Sequence, residues 1–118
     1  MHMNITIYHN PRCSKSRQTL TLLKEHGIEP TVVEYLATPP DRTTLDHLLN
    51  LLGLEPRALM RTKEPEYKEA GLDDPNLTRD QLIDAMVAHP RLIERPIVVR
   101  DKNRATIGRP PERVLDLL

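Results

Sequence analysis

The sequence predicts an α/β fold over residues 1–118 as one domain: a βαβ half, a helical insertion, then a ββα half. Three observations carry this. Short β-branched segments stand near both ends of the chain, while the middle repeats leucines at helical spacing. The first two strand-like segments are separated by one helical stretch, the connection that parallel strands require. The last two are separated by Asp101-Lys102-Asn103 alone, which suits an antiparallel hairpin.

The elements follow in order. Asn4–Tyr8 (NITIY) alternates β-branched with polar residues and reads as a strand, broken by His9-Asn10-Pro11-Arg12. Ser14 or Ser16 offers an N-cap for a helix running to about His26, with Leu20, Leu22 and Leu23 facing inward. Gly27 stands where a left-handed C-terminal residue belongs. Thr31–Leu36 (TVVEYL) is the second strand, and Thr38-Pro39-Pro40-Asp41 ends the unit.

The insertion begins with Leu45, Leu48, Leu49 and Leu52 at helical spacing, stopped by Gly53. Pro56–Arg61 and Pro65–Ala70 read as short helices with proline in the first turn. Thr78-Arg79-Asp80-Gln81 is a capping box ahead of Leu82, Ile83, Met86 and Val87, and Pro90 closes that helix. Pro96–Arg100 and Arg104–Ile107 are strands; Gly108-Arg109-Pro110-Pro111 is a loop. Pro111 starts a final helix with Val114, Leu115 and Leu118 inward. This order matches a thioredoxin-like core, in which the loop after the first strand feeds the N-terminus of the first helix.

Composition narrows the function. There are 17 Lys+Arg and 17 Asp+Glu, so no basic excess exists to neutralise phosphates, and no nucleic-acid partner is expected. With three Tyr and neither Phe nor Trp, base-stacking platforms are essentially absent. No apolar run approaches a bilayer span and no export signal is legible, so no membrane association and a cytoplasmic location are expected. The carboxylates are scattered, without an isolated pair in an apolar setting for acid–base work.

The single cysteine, Cys13, decides more than any other residue. It excludes an internal disulfide and a cysteine-rich zinc site, and no metal or bound cofactor is expected. Any second sulfur must come from another molecule. Cys13 precedes a helix N-terminus, where unpaired N–H groups and the helix dipole favour a thiolate. No acidic residue falls between Met1 and Lys24, while Arg12, Lys15, Arg17 and Lys24 do, an arrangement suited to a small oxyanion. The plainer alternative is a small buried hydrophobe. The polar flanks of Cys13 argue against it.

Three arginines stand out among the rest: Arg61 after a short helix, Arg95 before Pro96 and a strand, and Arg109 after Gly108. Guanidinium groups grip tetrahedral oxyanions bidentately, which lysine does not. In a thioredoxin-like fold the bond before the third strand, here Arg95–Pro96, is commonly cis and lies beside the active site. His9 either tunes the thiolate or caps the loop. Ser16 caps the helix, contacts an anion, or does both. His26, His47 and His89 lack ligand spacing, and His2 stands at the terminus; none is given a role.

Asn4–Cys13 (NITIYHNPRC), Arg57–Arg61 (RALMR), Asp80–Met86 (DQLIDAM), Arg91–Val99 (RLIERPIVV) and Gly108-Arg109-Pro110 together resemble the ArsC-like arsenate reductases of the glutathione- and glutaredoxin-coupled type. The resemblance runs from about Asn4 to Leu118. It implies a thioredoxin-like fold with a helical insert, Cys13 as nucleophile, and Arg61, Arg95 and Arg109 as the oxyanion site, with His9 in the thiolate's environment. It further implies arsenate as substrate, glutathione as co-substrate and glutaredoxin as partner. The loop reads Cys13-Ser14-Lys15-Ser16-Arg17 where reductases of this kind often read C-G-T-S-R. Two other readings stay open: a monothiol glutathione-dependent oxidoreductase of another substrate, and a non-enzymatic, Spx-like RNA polymerase-binding regulator.

Overall fold

A computed structural model describes residues 3–118; His2 lies outside them. Its strands are β1 (Ile5–His9), β2 (Thr31–Glu34), β3 (Ile97–Arg100) and β4 (Arg104–Ile107). They form one sheet in the order β2-β1-β3-β4. β1 and β2 pair in parallel across helix α1 (Ser14–Glu25), while β1–β3 and β3–β4 are antiparallel. This is the thioredoxin-like arrangement that the element order predicts.

The chain divides into two compact units, one comprising the residues up to Thr38 with Arg95–Leu118, the other Pro39–Glu94. The first unit holds the sheet. Side chains alternate along β1, so Ile5, Ile7 and His9 are buried on one face. Ile5 and Ile7 pack with Leu23, Val98, Val114 and Leu117, and Leu20 and Leu22 lie partly buried against them. Each such aliphatic burial contributes about 1.5–3 kcal/mol relative to exposure.

Three local expectations change in this unit. β2 stops at Glu34 instead of Leu36, since its partner ends at His9, paired with Glu34. The chain then turns, with the Ala37 and Thr38 N–H groups both donating to the Glu34 carbonyl. The C-terminal helix is 3₁₀ over Pro111–Leu117. Its period of three buries Pro111, Val114 and Leu117, so Leu117 takes the inward place expected of Leu118, which is exposed. The hairpin turn places Asp101 and Lys102 at φ +52° and +63°, left-handed positions taken here without a glycine. The third change, at the start of α1, belongs with the site below.

The second unit is helical: α2 (Arg42–Leu52), α3 (Pro56–Leu59), α4 (Pro65–Glu69) and α5 (Arg79–Ala88). Asp41 caps α2 by accepting from the Thr44 N–H at 2.8 Å, and Gly53 ends it at φ +67°. The capping box of Thr78 and Gln81 forms on α5 as expected. Leu45, Leu48 and Leu49 of α2 and Ile83 and Met86 of α5 are buried. Arg42 reaches Asp80 and Asp84, and Arg79 reaches Asp46, as solvent-screened pairs. α3 ends before Arg61 because the backbone there pairs elsewhere: the Arg61 N–H donates to the Leu92 carbonyl at 2.7 Å, and the Glu94 N–H to Leu59 at 2.8 Å. Among the described residues, no helix is long and apolar enough to cross a membrane.

Candidate active site

The loop leaving β1 places the cysteine. The Asn10 carbonyl accepts the Cys13 N–H at 3.0 Å, closing a turn. The Asn10 side-chain oxygen accepts the Arg12 N–H, also at 3.0 Å. Cys13 itself is the N-cap of α1, with extended backbone at φ −94° and ψ 123°. Neither Ser14 nor Ser16 caps the helix. Ser14 begins it, and Ser16 is already its third residue, on the buried face it shares with Thr19 and Leu23.

That shift gives Ser16 a different task. His9 continues the inward alternation of Ile5 and Ile7, and Ser16 lies on the buried face of α1. The two meet, with His9 Nδ1 and Ser16 Oγ 2.6 Å apart. The Asn10 N–H donates to the same Oγ at 3.0 Å. The Ser16 hydroxyl, with two acceptor sites and one proton, thus serves Asn10 and His9 at the same time. Burial lowers the His9 pKa, with Lys24 and Arg17 adding to it against the pull of Glu34, in keeping with a neutral ring.

Cys13 is buried to 8 % exposure, yet its surroundings are polar. Burial alone would push the thiol pKa up. The Ser16 N–H, the hydrogen-bonding and charged Arg95 guanidinium, and the Lys15 N–H outweigh it, and the pKa is lowered. The sulfur thus stands where a capping oxygen stands in other helices, facing first-turn N–H groups, although no full capping bond closes. Arg109 Nη2 donates to Sγ at 3.6 Å. Its Nε donates to the Arg95 carbonyl at 2.7 Å, which orients the guanidinium. Of the sequence-local cations, Arg17 turns instead to the Pro11 carbonyl at 3.0 Å.

The peptide bonds Arg95–Pro96 and Arg109–Pro110 are both cis; the sequence points to the first and not to the second. The structure therefore brings Cys13, Arg95 and Arg109 together, with His9 and Ser16 directly behind the helix start. Arg61 belongs to the second unit. There its Nη1 pairs with Glu94 at 3.0 Å and its Nε with Glu64 at 3.3 Å. Glu64 also receives Arg91 at 3.3 Å.

Sequence reasoning missed two supports. Asn10 bonds the backbone of Arg12 and Cys13 and the side chain of Ser16; an Asn before Pro, with its habit of bonding the backbone two residues on, is the signal that points to it. Gly108 is the other. A Cβ there would lie 2.6 Å from Thr19 Oγ1 and 2.9 Å from Pro96 Cγ. Thr19 is fully buried, and its hydroxyl bonds the Lys15 carbonyl at 2.8 Å, so it has little room to give. Only glycine lets the loop bearing Arg109 approach α1 this closely. Gly108→Ala is expected to lower stability by about 1–3 kcal/mol, as overpacking does. Urea unfolding of the two proteins checks this; an unchanged midpoint would show that the crowding relaxes freely.

The model of the ArsC family matches residues 8–117. The chain belongs to the ArsC family. Among its relatives is the "Uncharacterized protein YfgD" of Escherichia coli (strain K12), 57% identical over 119 residues, covering 100% of this chain and 99% of that protein. An "Arsenate reductase" of Neisseria meningitidis serogroup A is 53% identical over 93% of this chain and 94% of its own length. A solved structure called "Arsenate reductase from Vibrio cholerae" superposes at a TM-score of 0.96, with 54% identity and full coverage of both chains. The sulfur, the two arginines and the cis-proline described above thus sit in an ArsC fold.

Proposed function

We propose that this ArsC-family chain reduces arsenate to arsenite with electrons from glutathione and glutaredoxin. The observation that carries the reading is the Cys13 sulfur held at the start of α1 against the Arg109 guanidinium, 3.6 Å away, with Arg95 beside it. The names of the Neisseria and Vibrio relatives support the choice of arsenate.

The chemistry then runs in balanced steps. The Cys13 thiolate attacks arsenic(V), an As–S bond forms, and one arsenate oxygen leaves as water after protonation. Arg95 and Arg109 neutralise the oxyanion as it approaches. Glutathione thiolate attacks the Cys13 sulfur. The S–S bond forms, and the As–S electron pair departs with arsenic, which leaves as arsenite. The two electrons come from the two sulfurs. Glutaredoxin reduces the Cys13–glutathione disulfide and returns the thiol.

His9 and Ser16 act as positioning residues in this scheme. The Ser16 hydroxyl is engaged by His9 and Asn10, which leaves its N–H as the group offered to the sulfur. Pro96 supports Arg95 structurally, and its carbonyl accepts the Gly108 N–H at 2.9 Å. The ArsC resemblance gives Arg61 an oxyanion-binding role; to fill it, the guanidinium must share its charge with Glu64 and Glu94. The reading places the protein in the cytoplasm, where a thiol-reducing pool is maintained.

The test is an NADPH-coupled assay of the pure protein with arsenate, glutathione, glutaredoxin and glutathione reductase, omitting one component at a time. NADPH oxidation that requires every component is the expected result. Turnover of a disulfide substrate without any oxyanion would favour a plain monothiol oxidoreductase instead.

A further inference from the structure

We propose that Asn10 is the positioning residue of the cysteine loop: its amide oxygen holds the turn that presents the Cys13 sulfur to the first amides of α1 and to Arg109. The inference deepens the proposed function, since it rests on Cys13 as the nucleophile.

Asn10 makes three hydrogen bonds, two within the loop and one to α1. Its side-chain oxygen accepts the Arg12 N–H at 3.0 Å. Its carbonyl accepts the Cys13 N–H at 3.0 Å. Its own N–H donates to Ser16 Oγ at 3.0 Å. The residue is 8 % exposed, so none of these bonds is readily exchanged for water.

The consequence lies in which amides are left for the sulfur. The Cys13 N–H is committed to Asn10, so it does not compete. The turn hands Cys13 to α1 as an N-cap with extended backbone, and in that conformation a side chain faces the amides two and three residues on. Those amides belong to Lys15 and Ser16, the ones that act on the thiol. The other groups facing Cys13 are Arg95, ahead of β3, and Arg109, beyond β4; both meet the sulfur only where the loop puts it. Without the Asn10 side chain the Arg12 N–H loses its acceptor. The 10–13 turn then relaxes, and the sulfur drifts from its N–H partners.

The test compares Asn10→Ala and Asn10→Ser with the parent protein. Cys13 is the only cysteine, so the pH profile of iodoacetamide alkylation reports its thiolate alone. Asn10→Ala is expected to raise the midpoint of that profile by about one unit, the effect of weakening hydrogen bonds to the ionised form. Below both midpoints its alkylation rate should fall roughly three- to fourfold, less than the roughly tenfold drop in thiolate fraction, because a more basic thiolate is more nucleophilic. Asn10→Ser should fall between the two, since a hydroxyl makes the same turn more weakly.

A profile for Asn10→Ala that superimposes on the parent overturns the proposal. Equal shifts in both variants also overturn it, because they would reflect general loosening and not the lost acceptor. Should Asn10→Ala not fold, Asn10→Ser decides alone: an unshifted midpoint in a protein of unchanged melting temperature refutes the role. The assay uses neither arsenate nor glutathione. A parent protein that fails to reduce arsenate but shows the graded shift therefore sinks the reductase reading and leaves Asn10's role standing.

Discussion

Cys13→Ser is expected to bring glutathione-dependent arsenate reduction to background. Two electrons must reach arsenic, and in the proposed cycle each comes from a sulfur when the S–S bond forms. A serine oxygen cannot take part in that bond. Nor is it ionised at neutral pH, whereas the Cys13 thiol has its pKa lowered by the Ser16 N–H, Arg95 and the Lys15 N–H against the opposing effect of burial. The chain has no other cysteine to substitute. The check is the NADPH-coupled assay on both proteins, with circular dichroism to show that the variant is folded. Retained turnover in a folded variant would end the assignment of Cys13 as nucleophile.

Arg109→Lys is expected to reduce kcat/KM for arsenate on the order of 10²-fold, the loss typical of removing one donor from an oxyanion site. The reason is geometric. Arg109 uses Nε to hold the Arg95 carbonyl at 2.7 Å and Nη2 to reach Sγ at 3.6 Å. One planar group thus anchors itself and addresses the sulfur at the same time. A lysine carries a single compact ammonium on a flexible stem, so it can serve one partner or the other, but not both in a fixed relation. The positive charge survives in the variant, which separates charge from shape. Steady-state kinetics against arsenate decide the matter; parental values would mean that charge alone suffices at this position.

Much of the architecture was readable along the chain because it depends on neighbours. The alternation of Asn4–Tyr8, the leucine spacing of Leu45–Leu52 and the capping box at Thr78 are short-range patterns, and the structure realises them, with the strand one residue later at Ile5–His9 because His9, read as its breaker, pairs with Glu34. Errors gathered where a distant partner overrode the local pattern. β2 ends at Glu34 because β1 ends at His9. α3 stops short of Arg61 because Leu59 and Arg61 find partners at Glu94 and Leu92. Leu117 replaces Leu118 in the core because the last helix winds with a period of three.

The site divides along the same line. Counting alone establishes that the lone cysteine forms no internal disulfide, and the proposed cycle draws its second sulfur from another molecule. Folding chose which groups surround the sulfur. Ser16 looked like a helix cap and became the partner of His9. Arg109, 96 residues beyond Cys13, arrives at the sulfur because β1 and β3 are adjacent in the sheet, β4 returns alongside β3, and Gly108 has no Cβ to hold the following loop away from Thr19. Periodicity records what a residue does with its near neighbours; a meeting across that separation depends on strand order and close packing, which the linear pattern does not encode.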